Sequence, residues 1–216
     1  MPFLDLLLPP ACAGCGRYGA VFCPRCTHGL RAATRPTDCF LAPDGGVVVG
    51  DALEVGLAAF AYGGALRKAL ASLKYGSAAR AARPLADVAR PRLAPLAELL
   101  SGAVLVPVPV HADRLRQRGY NQAALLAREL ARGAGMGMAD VLERRRPTTQ
   151  QHRLDRAARL RNLREAFGVK PGRAPPAAAI LVDDILTTSA TMEACAGALR
   201  EAGSVRVLGF AIAREL

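Results

Sequence analysis

Two adjacent acidic residues, Asp183 and Asp184, stand between an apolar run and a run of small residues that contains Thr187, Thr188, Ser189, Ala190 and Thr191. The apolar run, residues 178–182, does not alternate with polar residues, which is typical of a parallel strand covered on both faces. Each of two adjacent carboxylates can accept a hydrogen bond from one of two neighbouring sugar hydroxyls. Small residues at the start of a helix let a phosphate reach the backbone N–H groups. We therefore interpret residues 180–191 as a ribose-5-phosphate pocket.

Two other interpretations of the acid pair are weighed here. In the first, the acids only end a strand and the threonines cap the next helix. In the second, the chain is a haloacid-dehalogenase-like phosphatase, which also places acids after an apolar strand. That class needs its two acids separated by one residue, so that both face the same side. The adjacency of Asp183 and Asp184 argues against it.

Four cysteines near the N-terminus form two C-x2-C pairs separated by seven residues: Cys12, Cys15, Cys23 and Cys26. This spacing suits one tetrahedral Zn2+, and four thiolates leave no open coordination position for catalysis. We therefore predict a structural zinc site, with a redox role for the pairs as the alternative. We expect Cys195, which lies in the helix after the acid pair, to be a core residue.

A second polar segment follows a strand predicted at residues 104–110. Pro109 lies at the end of this strand and His111 in the loop after it, and three arginines follow at alternating positions: Arg114, Arg116 and Arg118. Guanidinium groups are suitable donors for a pyrophosphate, although the alternation implies that all three need not face the same side. We expect Asn121 to cap the helix that runs to Arg132.

Predicted strands and helices alternate from residue 47 onward, which indicates an α/β fold with a mostly parallel sheet. The predicted strands cover residues 57–62, 104–110, 141–142, 180–184 and 205–212. The predicted helices cover residues 66–73, 85–100 with an interruption at two prolines, 121–132 and 191–201. Residues 1–46 are rich in Cys, Gly and Pro and end in a turn-like segment, so we predict a separate small module there and one domain over residues 47–216.

Composition and charge limit the class of protein further. The chain has 216 residues, 51% of them hydrophobic, and a net charge of +11, which favours an anionic partner. No stretch reaches the roughly 18 apolar residues that a membrane span requires. The first ten residues also lack the basic start of a signal peptide. We therefore expect a cytoplasmic protein with reduced cysteines and no membrane insertion.

An arginine-rich segment, residues 144–164, carries eight arginines and one acid, and so a net charge of +7. Contacts from such a segment to phosphates would release counterions from DNA or RNA. The candidate nucleic-acid contacts are Arg144, Arg145, Arg146 and Arg153. The alternative is that the segment is solvated or serves the phosphate pocket. Few aromatic residues lie nearby, so stacking on bases is poorly supported.

Five features of the sequence occur in a fixed order after the four cysteines. They are L-V-P-V-P at 105–109, R-L-R-Q-R-G-Y-N-Q at 114–122, T-x2-Q-x2-L at 148–154, R-x2-N at 159–162 with Phe167, and the Asp183-Asp184 loop. This combination resembles the ComF family of competence-associated, phosphoribosyltransferase-like proteins. The resemblance covers nearly the whole chain.

The resemblance implies a type I phosphoribosyltransferase-like fold, with a mostly parallel sheet, helices on both faces and a small N-terminal zinc module. It implies that 5-phosphoribosyl-1-pyrophosphate (PRPP) binds with Mg2+, that Asp183 and Asp184 are the catalytic acids, and that the loop around Pro109 and His111 holds the pyrophosphate. By resemblance also, Lys74 faces the pocket, with a solvated helix position as the equal alternative.

The same resemblance implies natural transformation as the process, with single-stranded DNA and competence or DNA-processing proteins as partners. The family's usual loop has Gly at the position of Ser189. If that position requires a positive φ, a residue with a Cβ costs about 1–2 kcal/mol relative to glycine. Ser189 therefore bears on the affinity for PRPP and, through it, on whether turnover occurs.

Overall fold

The computed structural model describes residues 9–33, 52–73, 80–145, 165–187 and 189–215. The strands in this part of the chain are β1 Val55–Ala61, β2 Val104–Pro107, β3 Gly137–Met138, β4 Leu142–Arg144, β5 Phe167–Val169, β6 Ala178–Leu186 and β7 Arg206–Arg214. Five of them form one parallel sheet in the order β1-β7-β6-β2-β3, and β4 pairs with β5 in a short antiparallel ribbon. The predicted mostly parallel sheet is confirmed.

The helices in the described part of the chain are α1 Pro24–Ala33, α2 Gly64–Ser72, α3 Ala82–Leu99, α4 Ala112–Arg118, α5 Gln122–Ala134 and α6 Ala190–Glu201. None of these helices combines the length and the apolar character needed to cross a lipid bilayer. The short helix α4 was not expected from the sequence, where its arginines were placed in a loop.

Alternate residues of the central strands pack against helices on opposite faces of the sheet. Leu105, Ile180 and Leu208 share one buried cluster with α2, α3 and α5. Their neighbours Val106, Leu181 and Val207 share a second buried cluster with α6. Because successive side chains of a strand point to opposite faces, two apolar layers require strands that are apolar throughout. The predicted helices on both faces are confirmed.

Helix α3 is continuous through Pro91 and Pro95, so the predicted interruption is wrong. A proline removes one backbone hydrogen bond and normally kinks a helix. Both prolines lie on the exposed side of α3, four residues apart, where water can solvate the carbonyls that lose a donor. The opposite side is fixed by buried residues such as Leu85, Leu93 and Leu96.

Strand β6 continues two residues past the acid pair, so its predicted end at Asp184 is also wrong. Ile185 and Leu186 remain in register with Ala213 and Arg214 of β7. On the other side, pairing with β2 stops at Val182. The acids therefore lie within the strand, at the point where β6 has lost one of its two neighbours.

The cysteine segment packs against the main domain through apolar side chains. Phe22 and Leu30 belong to the same buried cluster as Phe60 and Leu66 of the main domain. The predicted boundary between residues 46 and 47 lies outside the described residues.

Candidate functional site

A cavity of about 200 Å3 lies beside the carboxyl ends of β2 and β6. Its lining combines acids, arginines, one amide and the backbone after β2: Val108, Pro109, Val110, Arg114, Arg118, Gln122, Ala123, Arg144, Asp183, Asp184 and Thr191. In open α/β sheets, ligands bind outside the carboxyl ends of the strands. The cavity is therefore where the fold would place a ligand.

The two acids form one wall of this cavity. Asp183 and Asp184 are half-buried. Asp183 Oδ1 accepts a hydrogen bond from Asp184 N at 2.8 Å, and Asp184 Oδ1 accepts one from Ile185 N at 2.9 Å. These backbone donors hold the carboxylates in place, and a carboxylate oxygen has capacity for more than one donor. The pair can therefore still accept hydrogen bonds from sugar hydroxyls.

The turn between β6 and α6 contains a strained residue. Ser189 has φ 51° and ψ −9°, in the left-handed region, and it is buried. Its φ is thus positive, which is the region where a residue with a Cβ is unfavourable. Thr191 lines the cavity, whereas Thr187 is exposed and Ala190 is half-buried without lining it. Thr188 lies outside the described residues.

Arginines of α4 form the opposite wall. Arg114 and Arg118 are four residues apart on one face of the helix and both line the cavity. Arg116 lies on another face and pairs with Asp113. The expectation that the three arginines need not all point inward is confirmed. His111 does not line the cavity, because its Nδ1 accepts from Asp113 N at 3.2 Å and caps α4.

Three hydrogen bonds hold the segment between α4 and α5 in place. Asn121 Oδ1 accepts from Ala123 N at 3.0 Å, which confirms it as the cap of α5, and its Nδ2 donates to Val108 O at 2.9 Å. Tyr120 Oη donates to Leu73 O, and burial raises the pKa of this phenol despite the nearby charge of Arg118. Lys74, the residue after Leu73, lies outside the described residues.

Arg144 enters the cavity from the antiparallel ribbon. Its guanidinium lies 5.4 Å from the centre of the Phe167 ring, within cation–π range. Burial, followed by the charge of Arg114, lowers the pKa of Arg144 below its ordinary value. Two arginines that destabilise each other in a partly buried cavity would be stabilised by an anion between them.

The other arginines predicted to contact nucleic acid are placed differently. Arg145 points away from the cavity and contacts Glu143 Oε1 at 3.1 Å and Val169 O at 3.2 Å. Arg146 and Arg153 lie outside the described residues. The structure therefore separates Arg144 from Arg145, although the sequence grouped them in one basic run.

Gln122 is the polar residue of the cavity lining that the sequence did not identify as a site residue. It is the first residue of α5 and only 5% exposed. Its Oε1 accepts from Arg118 Nη1 at 2.9 Å. Its place next to a helix cap, close to the end of a parallel strand, is the signal that could have identified it, because phosphate sites occur at such helix starts.

Cys195 of α6 is fully buried, which confirms it as a core residue. Burial, and next the negative charge of Asp183, raise the pKa of its thiol well above 9.0. A protonated, inaccessible thiol is a poor nucleophile. The cavity therefore has no cysteine nucleophile from α6.

The four predicted zinc ligands lie together at the N-terminal segment. All four Sγ atoms of Cys12, Cys15, Cys23 and Cys26 are within 4.8 Å of one another. The distances Cys12–Cys26 and Cys15–Cys23 are 3.8 Å and 3.7 Å. Sulfurs bonded at about 2.3 Å to one tetrahedral zinc lie about 3.8 Å apart. The cluster can therefore hold one metal ion such as zinc.

Local backbone explains why these four sulfurs meet. Gly16 has φ 78°, which closes the turn after Cys15. A Cβ on Gly14 would lie 3.0 Å from Cys26 Sγ and from Phe22, so a larger residue there would require these side chains to move. Burial opposes ionisation of Cys12, but backbone N–H donors, first that of Cys23 at 3.3 Å, hold its pKa at about 6. A thiolate is the form that binds metal.

Comparison with known proteins gives relatives that match about half of this chain. No protein-family model matches it. It is 33% identical over 113 residues to Competence protein F of Haemophilus influenzae, which is 51% of this chain and 49% of that protein. It is also 33% identical to the DNA utilization protein YhgH of Salmonella typhi over 114 residues, covering 52% and 49%. Competence protein ComFC of Streptococcus pneumoniae is 33% identical over 115 residues, covering 50% and 47%.

The matched part of the chain thus spans about half the length of these curated relatives. Two of the three carry the word competence in their names, and all three match at the same level of identity. The resemblance to the ComF family inferred from the sequence is therefore confirmed over about half of the chain.

Proposed function

We propose that this chain is a PRPP-binding, phosphoribosyltransferase-like protein that acts in DNA uptake and natural transformation, with competence or DNA-processing proteins as partners. One observation carries the ligand assignment: Asp183 and Asp184 share a single cavity with Arg114, Arg118 and Arg144. A phosphorylated sugar presents hydroxyl donors and anionic oxygens together, which is the complement of this lining. The relatives named for competence support the process.

In this proposal, the acid pair accepts hydrogen bonds from the ribose hydroxyls and the arginine wall holds the pyrophosphate. The 5-phosphate lies at the start of α6, where the helix dipole and the hydroxyl of Thr191 favour an anion. Mg2+ arrives with the substrate and neutralises charge on its pyrophosphate.

The residues of the chain would favour transfer chemistry by stabilising the leaving group. When the bond between C1 and the pyrophosphate oxygen breaks, the electron pair leaves with the pyrophosphate. Arg114, Arg118 and Arg144 are placed to stabilise the charge that develops there. The acids hold the ribose while an acceptor forms the new bond to C1, so Asp183 and Asp184 act by position and charge.

Calorimetric titration with PRPP and Mg2+ tests this proposal. We expect measurable binding by the wild type and none by Asp183→Asn/Asp184→Asn, which keeps the side-chain size and removes both charges. Asp87→Asn is the matched control, because Asp87 lies on the exposed side of α3 and pairs with Arg90. Equal binding by the double variant and the control would refute the pocket. Pyrophosphate release on addition of candidate acceptors would then identify the transferase reaction.

We also propose that the metal of the cysteine cluster is a structural Zn2+. Four sulfur ligands at tetrahedral separations leave no position for a reacting water, so the metal would fold the segment rather than catalyse.

A second candidate function is non-catalytic binding of single-stranded DNA. The observation in its favour is the net charge of +7 over residues 144–164. If the segment contacts phosphates, the logarithm of affinity should fall with the logarithm of salt by about 0.7 for each contact. Replacing Arg145 and Arg146 by Ala, which leaves the cavity residue Arg144 in place, should reduce that slope, and Arg83→Ala on α3 is the control. An unchanged slope would argue against this function.

A further inference from the structure

In the described part of the chain, the side-chain amide of Gln122 forms a hydrogen bond through its oxygen but not through its nitrogen. Its Oε1 accepts a hydrogen bond from Arg118 Nη1 at 2.9 Å. Because an arginine only donates, this bond fixes the orientation of the amide, with oxygen toward Arg118 and nitrogen away from it. Among the residues that the structure describes, the buried Nε2 has no hydrogen-bond partner.

A buried donor without an acceptor is unfavourable and therefore rare in a folded protein. Gln122 is 5% exposed and lines the cavity, so a small rotation of its side chain would bring the buried Nε2 to a bound molecule. An acceptor supplied by a ligand would satisfy this nitrogen without any movement of the backbone.

The surroundings of Gln122 define the kind of acceptor. It is bonded to Arg118 and it begins α5, whose first N–H groups and dipole favour negative charge. Arg114 and Arg144 line the same cavity. The acids that suit hydroxyl donors belong to a different element, β6. An anionic oxygen is thus the acceptor that this wall favours.

We propose that Gln122 is a ligand-binding residue whose Nε2 donates to an anionic oxygen of the pyrophosphate group, while its Oε1 orients Arg118 toward the same group. This inference rests on the proposed function for the identity of the ligand. The side chain thus adds a neutral donor to the arginine wall.

The test is calorimetry on the full chain with two probes, PRPP with Mg2+ and inorganic pyrophosphate with Mg2+. Gln122→Met keeps the size and removes the amide, and it should weaken both probes by about 10-fold to 100-fold, as expected for a lost hydrogen bond to a charged group. Gln122→Glu replaces the donor with an acceptor and should weaken them at least as much. Thermal unfolding confirms that each variant is folded, and Gln117→Met provides a matched glutamine control, because Gln117 is exposed on α4 and does not line the cavity.

The outcomes separate this inference from the proposed function. If the wild type binds PRPP and Gln122→Met binds equally well, the role of Gln122 is wrong and the pocket stands. If the wild type binds pyrophosphate but not PRPP, and Gln122→Met weakens pyrophosphate, the role of Gln122 stands and PRPP is wrong. Tighter binding by Gln122→Glu, or binding of neither probe by the wild type, overturns the inference.

Discussion

Ser189 offers a direct test of the backbone of the proposed phosphate loop. In the described part of the chain it is the one residue other than glycine with a positive φ, and it is 2% exposed. We compare Ser189→Gly with Ser189→Ala. Both variants lack the hydroxyl, so whatever contacts the hydroxyl makes are lost equally and cancel from the difference.

The expected difference follows from the φ of 51°. Alanine keeps the Cβ and with it a cost of about 1–2 kcal/mol in the left-handed region, which glycine avoids. Glycine in turn has more conformational freedom in the unfolded state, and this lowers the stability by about 0.5–1 kcal/mol relative to alanine. The free energy of unfolding should therefore be higher for Ser189→Gly than for Ser189→Ala, by up to about 1.5 kcal/mol.

Urea denaturation of the two variants measures this difference at the transition midpoint. The matched control is Gly197 in the same helix, α6, where a Cβ would meet open space and φ is not positive. There Gly197→Ala should raise the stability by about 0.5–1 kcal/mol. Glycine should therefore give the more stable protein at position 189, and alanine at position 197. The same residue being favoured at both positions would refute the strained geometry of Ser189.

Three further predictions concern the zinc cluster, a buried carboxylate and an acid-sensitive ion pair. Metal analysis should find one zinc per chain, lost in Cys15→Ser and kept in Cys39→Ser; zinc absent from the wild type would refute the cluster. Glu193 accepts from the N–H groups of Ala52 and Leu53 at 3.0 Å each, so Glu193→Gln should lower the stability in urea by about 1–3 kcal/mol, and an unchanged midpoint would contradict this. Burial raises the pKa of Glu54, but Arg206 and Arg200 outweigh it and hold the pKa below 4.5. Glu54 therefore stabilises the fold fully above that pH, and this stabilisation is lost as pH falls through its lowered pKa. The difference in stability between the wild type and Glu54→Gln should accordingly shrink in acid, and a difference that stays constant with pH would contradict this.

The sequence predicted the elements whose pattern is local and missed those decided by packing. The apolar run at 178–182 and the cap at Asn121 could be predicted because burial on two faces and helix capping each favour particular residue types. Helix α3 is different, because its two prolines are tolerated only through their exposed placement. Whether Pro91 and Pro95 face water depends on the sheet that α3 covers, and the local sequence does not encode that.

Membership of the candidate site was predictable in part for the same reason. Asp183 lies near the carboxyl end of β6, and Arg114 and Arg118 follow β2, so the parallel topology brings them together at one edge of the sheet. His111 was selected by its position in the loop, yet its ring accepts a hydrogen bond from Asp113 N and caps α4 instead. Gln122 was missed because a neutral amide shows its value only when its partners and its burial are known.

Arg144 shows why charge counted along the chain differs from charge placed in the fold. In sequence it begins a run of basic residues that suggests one surface for a polyanion. In the structure β4 pairs with β5, and strand alternation sends Arg144 into the cavity over Phe167 while Arg145 turns to Glu143. A cation that is partly buried beside Arg114 has its pKa lowered, so it gains most from an anion inside the cavity. Arg144 therefore belongs with the proposed sugar-phosphate site, and contact with DNA by the basic segment would depend on its other arginines.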